Sequence, residues 1–106
     1  MNPLIESNLP QLRQLCEKYN VARLELFGSA TTDEWDPARS DFDFLVTFGA
    51  APVGMCGFDQ YMDLLLNMEK LFGRHVDLVE ECAMKNPYFI KAVNSQRAPV
   101  YVRDAA

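Results

Sequence analysis

LELFGSATTDEWDPARSDFDFLVTF, residues 24–48, is the stretch whose reading decides the fold of this chain. It reads as a strand that stops abruptly at Gly28-Ser29, a polar excursion rich in Asp, Pro and Ser, and a second strand that opens with two acids. Asp41 and Asp43 alternate with Phe42 and Phe44. Successive side chains on a strand point to opposite faces, so both carboxylates share one face, about 6.6 Å apart, and both rings share the other. The chain then runs on into Leu45 and Val46, which belong in a core. Two like charges at the root of a core strand cost stability unless something positive sits between them, and a divalent metal is the simplest candidate.

Working outward, the chain of 106 residues has the size of one small domain, 1–106. Its apolar content of 49% and charged content of 24% suit a globular fold. The net charge of −5 argues against passive binding to a nucleic-acid backbone but leaves a nucleotide substrate open, because metal ions carry phosphates to acidic sites. Cys16, Cys56 and Cys82 are too widely spaced for a disulfide framework or a zinc site. No apolar run approaches a membrane span and the first residues lack a signal-peptide pattern, so a cytoplasmic protein is expected.

Asn8 is placed to cap a helix with Leu12, Leu15, Cys16 and Tyr19 on its apolar face, ending at Asn20. Val21 to Phe27 alternates as a strand, and a short helix is expected near Ser29–Thr32. After a Gly/Pro/Ala linker, positions 58, 61, 62, 65, 68 and 72 repeat with helical period, and Gly73 is placed to cap the end. His75 to Glu80 reads as a strand, Asn86-Pro87 as the start of another helix, and Pro99 to Val102 as an edge strand. The order predicts an α/β (α+β) fold: a small mixed sheet with helices mainly on one face and the other face left for a site.

Gly28-Ser29 follows a strand and precedes a helical turn, where glycine lets a phosphate approach the backbone and free N–H groups favour an anion. Asp77 lies mid-strand among Val76, Leu78 and Val79, where an unpaired carboxylate is costly. It is read either as an ion-pair partner of Arg23 or Arg74, or as a third metal-facing acid. Two divalent ions about 3.5–4 Å apart clamp the attacking and leaving oxygens of an in-line displacement at phosphorus, and carboxylates are the hard ligands magnesium prefers. In that scheme Asp41 and Asp43 hold the metals, while Asp77 completes the metal site and helps deprotonate the acceptor. His75, the only histidine, is read as a residue that starts a strand; the 58–72 stripe is read as core, and Tyr88 and Phe89 as buried against the sheet, with a dimer or partner surface as the alternative. Trp35 is read as stacking on a base, meeting a partner, or packing.

Gly28-Ser29, eleven residues, then Ser40-Asp41-Phe42-Asp43-Phe44-Leu45-Val46 resembles the signature of the polymerase-β-like nucleotidyltransferase superfamily. With Leu-Phe-Gly-Ser, Asp36-Pro37 and Gly73-Arg74-x-Val76-Asp77-Leu78-Val79, nearly the whole chain is similar to the minimal nucleotidyltransferases. The resemblance implies ATP as substrate, two Mg2+ ions, and nucleotide binding by Gly28, Ser29 and Ser40. It also implies an antitoxin role toward a helical HEPN toxin, exercised by binding and by adding AMP to a toxin tyrosine. The alternatives are an antitoxin that acts by contact alone and a transferase for a small hydroxylated molecule. Relatives commonly continue Gly-Ser-x-Ala-Arg-Gly, whereas Thr32 and Asp33 stand here at the arginine and glycine positions, with Arg39 nearby as a substitute cation. Pairing of the Pro99–Val102 edge with a second copy or with the partner is left open.

Overall fold

A computed structural model describes residues 2–32, 35–36 and 41–103, without the side chain of Ser29. Helices α1 (Pro3–Ser7) and α2 (Leu9–Lys18) lead into strand β1 (Val21–Phe27), and a 3-10 turn at Gly28–Thr31 follows. Strand β2 (Phe42–Phe48), helix α3 (Gly57–Phe72), strand β3 (Val76–Glu80), a second 3-10 turn at Glu81–Ala83, helix α4 (Pro87–Ser95) and strand β4 (Arg97–Val102) complete the order. The expected succession of elements is present, with α1 and the Glu81–Ala83 turn added. Asn8 was expected to cap α2 with its side chain; it donates instead to the Leu4 carbonyl at 2.9 Å, tying the two short helices together.

The four strands form one mixed sheet in the order β3-β2-β1-β4. β1 pairs antiparallel with β2 and with β4, while β2 and β3 run parallel because the long α3 crossover separates them. Leu24, Leu26, Phe42, Phe44, Val46, Val76 and Leu78 point to one face and are buried under α1, α2 and α3 through Ile5, Leu12, Cys16, Leu64, Met68 and Phe72. The Phe42, Phe44 and Phe72 rings form the centre of this layer, with Phe42 and Phe72 centroids 5.0 Å apart. On the opposite face, α4 is the helix that covers the sheet among the described residues, burying Val93 against Phe27 and Leu45. Helices therefore lie mainly on one face, as the order of elements predicts.

The stripe on α3 is rotated from the expected one. Gln60, Leu64, Met68 and Phe72 are its buried residues, whereas Phe58 is 71% exposed and Tyr61 and Leu65 are partly covered. A polar residue marks the buried line because Gln60 donates its amide to the Tyr19 carbonyl at 2.8 Å and is thereby satisfied inside. Gly73 ends α3 in the left-handed conformation expected of it, at φ 65°. Tyr88 is a further correction: at 85% exposed it is not core, and Phe89 beside it is only partly covered, by the edge of Phe27. Both lie in the first turn of a short helix that caps only part of its sheet face.

β3 and β4 are the two edges of the sheet. Along β3 the outward backbone is occupied by α3 side chains: the Val76 N–H donates to Glu69 at 3.1 Å, and the Tyr61 hydroxyl donates to the Leu78 carbonyl. Filling an edge in this way blunts strand-to-strand pairing there. β4 carries Pro99, consistent with its edge position. Cys16 is buried and its thiol is pushed up to about 12 by burial, which makes it inert; Cys56 and Cys82 are free and exposed. Among the described residues no helix is long and apolar enough to cross a membrane.

Candidate functional site

The face opposite the main helical layer carries three rows of side chains set by strand register. Phe27 on β1 is opposite Asp43 on β2, and Asp43 is opposite Asp77 on β3. In the next row Glu25, Leu45 and Val79 align, and beyond them Arg23 meets Thr47. α4 covers the middle of this surface and leaves the Asp43–Asp77 end open. Asp41 immediately precedes β2 and shares the acid face by alternation. The two aspartates seen in sequence as a pair on one strand are thus joined by a third from the adjacent parallel strand. Neighbouring strands lie about 4.8 Å apart, within reach of a shared cation.

The electrostatics express this crowding. Asp43 is half-buried, and its carboxyl is pushed up to about 6, first by burial, then by a hydrogen bond with Asp77 and the charges of Asp77 and Asp41. Asp41 and Asp77 are exposed, Asp77 because α4 does not extend over it. Neither anticipated arginine pairs with Asp77 in the ion pairs seen. Arg23 pairs with Glu25 at 3.0 Å, and the Arg74 guanidinium lies 4.9 Å above the Trp35 ring. Asp77 instead meets the His75 imidazole, Nε2 to Oδ1 at 3.1 Å. His75 does stand ahead of β3 as expected, but it also belongs to the site, and the hydrogen bond to Asp77 raises its pKa. The signal that could have found it is the two-residue spacing from Asp77, which places both on one face.

The turn at Gly28–Thr31 abuts these acids. Gly28 has φ +75°, and a Cβ there would lie 2.8 Å from Asp43 Oδ2. Glycine is favoured by the backbone conformation, and a side chain there would also displace the Asp43 carboxylate. Gly28→Ala is expected to cost about 1–3 kcal/mol, read as a lower urea midpoint; an unchanged midpoint would show that the turn tolerates a side chain. Ser29 has its backbone in this 3-10 turn, while its hydroxyl, and Asp33, Arg39 and Ser40, lie outside the described residues.

A cavity of about 440 Å³ adjoins the acids, lined by Phe27, Asp43, His75, Asp77, Tyr61 and Phe89 among others. A larger one, about 910 Å³, lies toward the helical face of the sheet and takes in Ala30, Thr31, Thr32, Trp35 and Arg74. It contains none of the acids, so we place the chemistry at the smaller one. Trp35 is a packing residue: its ring stacks on Phe42 at 4.9 Å and 9°, and its indole N–H donates to the Asp41 carbonyl at 3.2 Å. Trp35 is thereby anchored beside the acid strand.

Among the described residues no three His, Cys, Asp or Glu side chains are already gathered as a metal cage. The donor chemistry nonetheless fits a hard divalent cation. Asp43 is held above its ordinary range first by burial and then by the adjacent carboxylates, and a cation between them would offset that penalty while accepting their oxygens as ligands.

Residues 11–99 match the family described as nucleotidyltransferase domain. A candidate protein adenylyltransferase of Methanocaldococcus jannaschii is 34% identical over 79 residues, covering 74% of this chain and 76% of that protein. A solved structure of a candidate minimal nucleotidyltransferase superposes with a TM-score of 0.67 at 28% identity, over 89% of this chain and 90% of the other. A chain from the complex of tri-AMPylated Shewanella oneidensis HEPN toxin with MNT antitoxin shares the fold, with a TM-score of 0.61 at 17% identity over 93% of this chain and 73% of the other.

Proposed function

We propose a specific reaction for this chain, which belongs to the nucleotidyltransferase domain family and, within the polymerase-β-like superfamily, to the minimal nucleotidyltransferases. It transfers AMP from ATP to a hydroxyl of a partner protein, with magnesium, in the cytoplasm where ATP is abundant. The observation that carries this reading is the register that sets Asp43 beside Asp77 next to the left-handed turn at Gly28. One end of that row can receive a triphosphate, and the other can receive the hydroxyl that attacks it.

Asp41, Asp43 and Asp77 would hold the divalent ions, and Gly28, Ser29 and Ser40 would bind the nucleotide. When bound, the ions neutralise charge on the phosphates and on the leaving oxygens. Gly28 has no side chain to keep a phosphate off the backbone, and N–H groups at the start of such a turn favour an anion. Asp77, open to solvent on the outer strand, accepts the proton of the attacking hydroxyl. The hydroxyl oxygen bonds to the α-phosphorus and pyrophosphate departs, so the donor and acceptor bonds balance.

The likeness to the S. oneidensis complex, whose HEPN toxin is tri-AMPylated, supports a HEPN toxin as the partner and an antitoxin role for this chain; a tyrosine as the acceptor is part of the proposal. The exposed Tyr88 on α4 favours a second reading, neutralisation by contact alone, since a large aromatic left open near the site suits a protein surface. Calorimetric titration with ATP and Mg2+, followed by labelled ATP with a HEPN toxin as the acceptor protein, separates the two. Saturable binding and label on the partner are expected, both lost in Asp41→Asn/Asp43→Asn. Protection of cells by a chain that binds no ATP would leave contact as the mechanism.

A further inference from the structure

Asp77 has a difficult task in the reaction proposed above, on which this inference rests. It stands on an edge strand with its side chain 60% exposed, where nothing from the core fixes its rotamer. It also stands directly beside Asp43 across the parallel pair, a like-charged neighbour that would itself have to bind a cation. A ligand or base held this loosely loses the alignment that transfer demands.

The surroundings supply a clamp. His75 and Asp77 are two residues apart and project from the same face, so the imidazole reaches Asp77 Oδ1 with Nε2 at 3.1 Å. The other ring nitrogen, Nδ1, meets Glu69 Oε2 at 3.1 Å. Glu69 is fixed in turn, because the same Oε2 accepts the Val76 N–H at 3.1 Å from the outer edge of β3. The chain of contacts runs from the last turns of α3, through the edge of the sheet, to the outer acid of the row. It spends one carboxylate oxygen on the imidazole, which orients the remaining one.

We propose that His75 is a positioning residue for Asp77, locked in place by Glu69. An isolated exposed ion pair contributes little to folding, so such a clamp has little to do for stability. Its effect belongs with metal and acceptor geometry, where groups that hold a ligand change metal affinity about 10–100-fold.

The test uses the full chain with a non-hydrolysable ATP analogue and Mn2+, the free ion being counted by electron paramagnetic resonance. His75→Ala is expected to weaken Mn2+ binding by about 10-fold while leaving the melting temperature within a few degrees. His75→Gln, which keeps an N–H donor near the position of Nε2, recovers most of the loss. Glu69→Ala weakens binding in the same direction. In an Asp77→Asn background, His75→Ala produces no further loss. Equal Mn2+ affinity in wild type and His75→Ala overturns the inference alone, as does an undiminished effect of His75→Ala in the Asp77→Asn background. A wild-type chain that takes up no Mn2+ overturns the metal-dependent reaction and this clamp together.

Discussion

Replacing Asp43 with asparagine is expected to abolish nucleotidyl transfer, by on the order of 10³-fold, while leaving the metal-free protein as stable as wild type or more so. The two effects have one cause. Asp43 sits half-buried between Asp41 and Asp77 with its carboxyl raised to about 6, so at neutral pH it is ionised in a place that disfavours the charge. Its folded value lies above its unfolded value of 3.8. The stability it contributes is therefore fully present below about pH 4 and is lost as pH rises through about 6. After discounting for the solvent that still reaches this group, the loss is about 1 kcal/mol. Asparagine keeps the size and a hydrogen bond to Asp77 without the charge, so the Asp43→Asn melting temperature should fall less between pH 4 and 7 than that of wild type. Melting curves in chelator across that range measure it; parallel curves would show that Asp43 carries no strain. A cation bound as proposed would relieve that strain.

Much of this site was legible from alternation and spacing. Asp41 and Asp43 needed only the strand period to be placed on one face, and Gly28 needed only its position at the end of a strand. Asp77 needed one more inference, that α3 is long enough to carry the chain over and start a parallel strand, and the register then set it beside Asp43. What the sequence did not show depends on coverage. Tyr88 and Phe58 are apolar residues at plausible core positions, but α4 is short and α3 is rotated toward Gln60 and Leu64, so both side chains remain outside. Asp77 reads in sequence as a buried acid in need of Arg23, Arg74 or a metal, yet it lies beyond the reach of α4, is exposed and meets His75. Periodicity tells which residues share a face; it does not tell how far the covering helix extends.

Arg97→Ala is expected to be the most damaging single change to the fold outside the apolar core, costing about 3 kcal/mol. Glu25 alternates with Leu24 and Leu26 and reads in sequence as the polar side of β1, yet it is only 2% exposed. Its carboxylate is bound by Arg97, with Nε at 2.9 Å and a second bond from a terminal guanidinium nitrogen, and by Arg23 Nε at 3.0 Å. The same guanidinium reaches Glu81 at 2.8 Å, whose pKa it lowers, and Thr47 donates to Glu81 at 3.0 Å. One side chain on an edge strand thus joins β1, β4 and the Glu81–Ala83 turn. Removing it strands a buried carboxylate with Arg23 alone, whose side chain is half in solvent and a weak substitute. At about 4–8 °C per kcal/mol for a domain of this size, the melting temperature should fall by roughly 12–24 °C. Glu25→Leu combined with Arg97→Leu should recover most of that, since an apolar pair of similar volume removes the charge that was left uncompensated. Phe27 and Leu45 stand between this network and the acids. Below its transition, Arg97→Ala should therefore retain the transfer rate per folded molecule, which separates a residue that holds the sheet together from those that act on the nucleotide. Lost transfer in a variant still fully folded would instead place the network within the reacting site.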